Sequence, residues 1–471
     1  MAAVETAAPR GGDPRPRIRL SSPPGRLRLM SLLVTAVLIA LWIAAIITAL
    51  RRDRATDALA DGRGAEAAAA QVLRADLATA EAAAARMLLP DPPSTAATSQ
   101  DTGDAEGQGT GVDAGRQGSG SAQQGAGPGD PGAAYRRAVA DAGDRIVELA
   151  GVADTRTPLR VISRQLPVYS GQVERARANA RFGYAVGASY LREASALMRG
   201  TILPAADQLA TADAERVDHD YRRASGVGGP LLVAGTGAGA LALLVAVQVR
   251  LFRRTNRILN PALVAATLLT ALAAGWALTA FGAQRAHLRD ARDDGFAPMV
   301  ASGQARALAQ RAWADETLAL LSPGDTDAVD ADADAATIRL GYDPRGDLIT
   351  ATGATPPGLL AGLATPSGDR EPLGPLWQVH QTNAAQVRAL RTDPGGMARA
   401  LTLYRGPDTA AFGRFDGAAT AVFDTARTRF TRRLDDTAGT LDSLPAALCV
   451  ALGLAAALTL VGLQMRINDY R

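Results

Sequence analysis

Four long apolar runs divide the chain, and long polar segments separate them. The runs cover residues 30–50, 230–249, 261–283 and 443–465, and none of them contains a charged residue. A membrane-spanning helix needs about 20 consecutive apolar residues. The pattern therefore predicts four transmembrane helices at these positions. The first is expected to be an uncleaved signal anchor, because Arg51 and Arg52 follow it without a small-residue cleavage site.

The polar segments 51–229 and 284–442 carry apolar residues at helical spacing. One such series has alternating steps of three and four residues, which predicts a heptad-like seam along one helix. Its members are Leu166, Tyr169, Val173, Ala176, Ala180, Gly183, Gly187, Tyr190, Ala194 and Leu197. The small residues allow close approach of a partner helix, and the two tyrosines are expected in the core. A second seam runs from Phe415 to Leu441 towards the last apolar run.

These patterns predict an all-α protein with four transmembrane helices and two antiparallel, four-helix-bundle-like domains. In each half of the chain, one transmembrane span is followed by a domain and then by a second span. A short internal sequence similarity supports duplication of this arrangement. Ala75-Asp76 is followed by Leu88-Leu89-Pro90, and Ala314-Asp315 is followed by Leu320-Leu321-Ser322-Pro323.

Three stretches lack helical periodicity. Residues 1–29 and the Gly-, Ser- and Gln-rich insertion 92–132 are predicted to be disordered. Residues 322–376 contain seven prolines and are expected to be irregular. The acidic run at 325–334 fits a solvated loop better than a calcium site, because it has neither the glycine turn nor the closing glutamate of a calcium loop.

Charge predicts the orientation in the membrane. The N-terminus, the loop 250–260 and the tail 466–471 together hold twelve arginines and three acids, whereas the two long segments hold more acids than arginines. Positively charged segments remain in the cytoplasm. Both termini and the loop are thus expected to be cytoplasmic in a multi-pass cell-membrane protein, and segments 51–229 and 284–442 extracytoplasmic. Arg51, Arg52 and Arg54 oppose this assignment weakly.

The sequence shows no catalytic motif, and we expect a non-enzymatic protein without a cofactor or metal site. The single cysteine, Cys449, lies in an apolar run, so no internal disulfide can form. The only three histidines, His219, His287 and His380, are far apart in polar stretches and are expected at the surface. The predicted cytoplasmic segments are too short for a folded output domain, so any signal must pass to a separate protein.

Residues 166–195 carry a family resemblance. The segment from Leu166-Pro167-Val168-Tyr169-Ser170-Gly171 to Leu191-Arg192-Glu193-Ala194-Ser195 resembles the hallmark helix of an actinobacterial family of four-span membrane proteins. Ala314-Asp315-Glu316, Trp377 and Phe412–Asp416 extend the likeness. In better-studied members the gene lies beside those of the soluble serine/threonine kinase G and a glutamine/glutamate-binding lipoprotein. The resemblance implies a glutamine-sensing relay from the lipoprotein to the kinase.

The first functional hypothesis is therefore a transmembrane sensor. Its outer partner contacts are expected at Glu174, Arg177, Asn179 and Arg181, and its cytoplasmic contacts at Arg250, Arg253, Arg254 and Arg257, which also face anionic lipid heads. Two alternatives are a cell-envelope scaffold and an accessory subunit of an amino-acid transporter. We expect no nucleic-acid partner, and a homodimer is left open.

Overall fold

The computed structural model describes residues 23–90, 130–151, 156–180, 184–255, 261–322, 324, 326–349, 358–363, 372–438 and 444–468. Over these residues the protein is all-α, and the only strand-like feature in them is an isolated bridge between Tyr342 and Leu348. The all-α prediction is confirmed. The predicted insertion at 92–132 lies outside the described residues except at its end, where a helix begins at Pro131.

Fourteen α-helices are present in the described parts of the chain. They are α1 Pro23–Ala58, α2 Gly64–Met87, α3 Pro131–Ala150, α4 Arg156–Ala180, α5 Tyr184–Leu197, α6 Leu203–Ala224, α7 Gly228–Thr255, α8 Pro261–Ala291, α9 Ala297–Leu321, α10 Asp327–Leu340, α11 Leu373–Thr392, α12 Met397–Leu403, α13 Thr409–Ala438 and α14 Leu444–Asn468. Helix α1 begins inside the segment 1–29 that we expected to be disordered.

Four single π-turns link consecutive helices, at Leu59–Arg63, Met198–Ile202, Arg292–Phe296 and Tyr404–Asp408. They occupy equivalent places in the two halves of the chain. The turns after α1 and α8 both contain Asp-Gly, and the turns after α5 and α12 both contain Arg-Gly. Such π-turns are rare and often lie at functional sites. The repetition of these π-turns supports the duplication suggested by the internal sequence similarity.

The chain divides into two compact units. The apolar unit contains the described parts of residues 1–56, 222–286 and 436–471. Its core is one cluster contributed by α1, α7, α8 and α14, with Leu41, Leu244, Phe281 and Leu448 almost fully buried. Many other large apolar side chains of these helices are exposed, such as Leu272 and Val450, as expected for surfaces that face lipid.

Three helical stretches are long and apolar enough to span a membrane, and they contain the first three predicted spans. The apolar stretch of the fourth, Ala446–Gly462, is shorter. Arg52, at the end of the first span, is buried and donates hydrogen bonds to the carbonyls of Phe281 (3.2 Å) and Gly226 (2.7 Å) and to Gln284 Oε1 (3.1 Å). This positive charge next to the span therefore has a structural role within the unit.

The larger unit contains the described parts of residues 57–221 and 287–435. The sequence pattern predicted a separate domain for each segment, whereas the described parts of both form one compact unit. Helices α2 and α9 pack against each other, and alanines on both are fully buried, including Ala80 and Ala84 on α2 and Ala309 and Ala312 on α9. Alanine lets helix backbones approach closely, so the two segments share a core.

The predicted seam from Leu166 to Leu197 belongs to two helices that pack against each other. Gln172 Nε2 on α4 donates to Glu193 Oε1 on α5 over 3.1 Å, a contact that one straight helix would forbid at 1.5 Å rise per residue. A Cβ at Gly187 would lie 2.9 Å from the Ala180 Cα, so the small residues do permit close packing. Tyr169 is fully buried, as predicted, and Tyr190 is partly buried.

Two other expectations are corrected. The acidic run forms most of α10, where Ala333, Ala336 and Leu340 are buried and acids in the first turn favour the helix dipole. Its Asp330 and Asp334 pair with Arg391 (2.6 Å) and Arg388 (3.1 Å) of α11. His380 is fully buried, whereas His219 is exposed as expected and His287 is half-buried.

Candidate functional site

Two neighbouring cavities lie between the halves of the larger unit. The Asp76 cavity, of about 350 Å³, is lined by α2 and α3 from the first segment and by α9 and α13 from the second. The Arg177 cavity, of about 410 Å³, is lined by the end of α2, the start of α3, Arg177 of α4, the π-turn before α13 and the first residue of α13. Arg86, Asp130 and Thr409 line both cavities. Both have the size of small-molecule sites.

Three side chains that line the Asp76 cavity carry buried polar atoms with unused hydrogen-bonding capacity. Asp76 Oδ2, Gln310 Oε1 and Trp313 Nε1 have no hydrogen-bond partner in the described structure. The three side chains are at most 9% exposed. An unmade hydrogen bond at a buried group costs about 1–3 kcal/mol, so a ligand that supplies the missing partners gains affinity here.

Burial also changes the acidity of Asp76. Its removal from water raises the pKa of Asp76 to about 7, against the opposing effect of the nearby Arg306. Arg306 is itself paired with Asp416, its Nε lying 2.7 Å from Asp416 Oδ1. Gln310 Nε2 donates to the same carboxylate over 3.0 Å. This hydrogen bond from Gln310 to Asp416 fixes the orientation of the Gln310 amide and leaves Gln310 Oε1 without a partner.

Cationic groups occupy the other walls. The Arg86 guanidinium lies 4.0 Å from the centre of the Trp313 ring, a cation–π contact. Arg137 on α3 is exposed and lines the Asp76 cavity, and Arg177 on α4 is exposed and lines the Arg177 cavity. Arg405 donates to the carbonyls of Leu89 and Pro90, both over 2.7 Å. The site therefore offers anion-binding groups beside acceptors for an ammonium or amide.

A second buried polar network joins the two halves. Arg199, in the π-turn after α5, donates to Glu81 of α2 over 2.5 Å and forms an ion pair with Asp315 of α9. Glu81 and Asp315 are at most 1% exposed. Burial outweighs the attraction of Arg199 and raises the pKa of Asp315 to about 7, and the two carboxylates raise the pKa of Arg199. This network connects α2, α9 and the π-turn after α5 across the shared core.

Among the candidate contact residues whose side chains the structure describes, only Arg177 lines one of the two cavities. Glu174 is exposed beside it, with Glu174 Oε2 and Arg177 Nη1 3.7 Å apart. Asn179 donates to the carbonyl of Arg175 within its own helix. Arg250 and Arg253 are exposed in the last turns of α7. Arg181, Arg257 and the side chain of Arg254 lie outside the described residues.

Four residues of the site were not predicted from the sequence: Asp76, Arg86, Gln310 and Trp313. Asp76 and Arg86 are on α2 and the other two are on α9, helices that are far apart in the chain. A usable signal was present in α2, where Arg74, Asp76, Glu81 and Arg86 interrupt an otherwise alanine-rich helix. Charged residues in a helix that is buried on most sides require partners or a function.

Part of this unit is similar to a known sensor domain. No curated protein and no solved structure matches the chain. Residues 112–222, which include α3, α4, α5 and most of α6, match the family model described as an actinobacterial sensor domain. This matched segment contributes α3 and Arg177 to the two cavities.

Proposed function

We propose that this protein is a non-enzymatic transmembrane sensor that recognises a small polar ligand in the Asp76 cavity and relays its presence across the membrane. The observation that carries the proposal is the set of unpaired buried atoms of Asp76, Gln310 and Trp313 beside the Arg86 guanidinium. The sensor-domain match over residues 112–222 agrees with this role. A zwitterionic amino acid has the complementary charges.

The chain connectivity suggests how occupancy is transmitted. Helices α2 and α9, which line the Asp76 cavity, follow the apolar helices α1 and α8 directly along the chain, with one π-turn in each link. A ligand shifts a conformational equilibrium only if it binds the two states with different affinity. Binding between α2 and α9 favours the state in which both helices contact the ligand. The resulting change in the populations of the two states is the signal.

The proposed topology has four spans, with both termini and the loop 250–260 in the cytoplasm. It is supported by the arginine distribution and by the shared core of α1, α7, α8 and α14. Single cysteines at Ala140 and Arg250, both exposed, in a Cys449→Ser background test it. In intact spheroplasts a membrane-impermeant maleimide should label position 140 but not 250. Labelling of position 250 before lysis would refute the topology.

The partners are proposed from the family resemblance. An extracytoplasmic amino-acid-binding lipoprotein contacts the face with Glu174 and Arg177, and a soluble serine/threonine kinase contacts the segment with Arg250 and Arg253. We expect crosslinked pull-down of the tagged protein from intact cells to recover both partners, in amounts that change with added L-glutamine or L-glutamate.

An Arg177→Glu variant should lose the lipoprotein while retaining the kinase. Arg164→Glu is the matched control, since Arg164 is an exposed arginine of the same helix that does not line the Arg177 cavity. Recovery of neither partner, under conditions that capture a control membrane complex, would refute the relay.

A further inference from the structure

A compact group of three ionisable side chains lies apart from the two cavities. Glu316 comes from α9, His380 from α11, and Asp408 from the end of the π-turn before α13. His380 and Asp408 are fully buried, and the Glu316 side chain is 10% exposed. One potential metal-ligand atom from each residue lies within 4.8 Å of those of the other two.

The hydrogen bonds of this cluster leave ligand atoms unused. The His380 Nδ1 lies 2.8 Å from Asp408 Oδ1, so the carboxylate fixes the ring. On the other side of the ring, His380 Nε2 faces Glu316 Oε2 at 3.6 Å. These two atoms and Asp408 Oδ2 have no hydrogen-bond partner among the described residues. Three buried polar atoms without partners are costly unless something binds them.

We propose that Glu316, His380 and Asp408 form a binding site for a divalent transition-metal ion such as Zn²⁺. Ligands about 2.0–2.1 Å from a tetrahedral ion are roughly 3.3 Å apart, close to the 3.6 Å between Nε2 and Oε2. His380 Nε2 and Glu316 Oε2 are the ligands, and Asp408 accepts the Nδ1–H bond. A carboxylate–histidine–metal arrangement of this kind orients metal-binding histidines.

Charge supports the assignment. Glu316 and Asp408 flank the same imidazole, and a single protonated histidine can balance only one of these two negative charges. A divalent cation neutralises both while the imidazole is neutral. Other charged groups act on the cluster from neighbouring helices: Asp315 on α9 adds negative charge and Arg388 on α11 adds positive charge. The donor set of one imidazole and one carboxylate suits Zn²⁺, Mn²⁺ or Co²⁺ better than a soft ion.

Aromatic rings connect this cluster to the Asp76 cavity. The His380 ring lies 4.9 Å from Trp377 and 5.2 Å from Phe412, measured between ring centroids. Phe412 stacks on Trp313 at 3.9 Å, and both rings line the Asp76 cavity. A metal ion at His380 would therefore stabilise one wall of that cavity.

Titration of the purified full-length protein with Co²⁺ tests the site, using an affinity tag without histidine. We expect about one ion per chain, a visible Co²⁺ absorption band that Zn²⁺ abolishes, and a change in tryptophan fluorescence from Trp377. His380→Gln and Glu316→Gln should each weaken binding at least tenfold. Asp408→Asn, which removes the orienting carboxylate, should weaken it about 10–100-fold.

His219→Gln is the matched control, because His219 is an exposed histidine of the same unit, and it should bind like the unmodified protein. Circular dichroism of each variant separates loss of binding from loss of folding. Failure of the folded, unmodified protein to bind about 100 µM Co²⁺ or Zn²⁺ would overturn the proposal. Equal binding by folded His380→Gln and Glu316→Gln variants would overturn it as well.

Discussion

Replacing Arg199 with methionine should lower the free energy of unfolding of the larger unit by about 3–5 kcal/mol. Arg199 is the cation between two almost fully buried carboxylates, Glu81 and Asp315. Methionine keeps much of the side-chain volume but leaves both acids without a counter-charge. The cost is the desolvation of unpaired carboxylates, which is much larger than the value of a surface ion pair. Thermal unfolding of the purified protein measures it.

Two further variants identify the cause. Arg192 is exposed on α5, and its replacement by methionine should change stability by less than about 0.5 kcal/mol. The triple variant Arg199→Met, Glu81→Gln, Asp315→Asn removes all three charges and should recover most of the lost stability, because buried networks replaced as a whole are close to neutral. A triple variant as unstable as the single one would show that Arg199 acts through packing.

Replacing Asp76 with asparagine should stabilise the larger unit above neutral pH and abolish ligand binding. The raised pKa of Asp76, about 7, means that the folded state prefers the neutral carboxyl. The favourable contribution of Asp76 to the free energy of unfolding is complete below its unfolded-state pKa of 3.8. This contribution is lost as the pH rises to about 7. Asparagine does not ionise, so the free energy of unfolding of the variant should exceed that of the unmodified protein by about 1–3 kcal/mol at pH 8. At pH 4 the two free energies should differ little.

The functional half of this prediction uses the same samples. Addition of L-glutamine or L-glutamate should raise the unfolding temperature of the unmodified protein but not of Asp76→Asn. Asp141→Asn is the matched control, since Asp141 lines the same cavity but is exposed; its stability should stay within about 0.5 kcal/mol at all pH values. Equal ligand-induced shifts in Asp76→Asn and the unmodified protein would remove Asp76 from the site.

Such a pair of effects would mark Asp76 as a residue kept for function at a cost in stability. A purely structural carboxylate would lose hydrogen bonds on mutation and destabilise the protein. In the described structure Asp76 Oδ2 has no partner to lose.

The sequence determined the class of the protein and the position of its apolar helices. Runs of about 20 uncharged apolar residues have few alternatives to membrane helices, because every backbone group must be bonded internally in lipid. The three stretches that qualify as spans include the runs beginning at residues 30, 230 and 261. The period of three and four residues also placed Tyr169 and Val173 in the core, where both are fully buried.

Tertiary structure decided how the helical segments combine. A heptad pattern is the same whether it lies on one long helix or on two helices packed side by side, so the pairing of α4 with α5 was not readable from spacing. The hydrogen bond between Gln172 and Glu193 resolves it. The pattern likewise shows that a helix face is buried but not which helix covers it, and α2 and α9 cover each other.

The candidate sites depend on the same long-range packing. Asp76 meets Gln310 and Trp313 only because α2 lies against α9, and His380 meets Glu316 and Asp408 only when α11 packs beside α9 and the π-turn at Tyr404–Asp408. An isolated histidine in a polar stretch resembles a surface residue in sequence. Its burial follows from carboxylates and aromatic rings supplied by distant segments, and local periodicity contains no information about them.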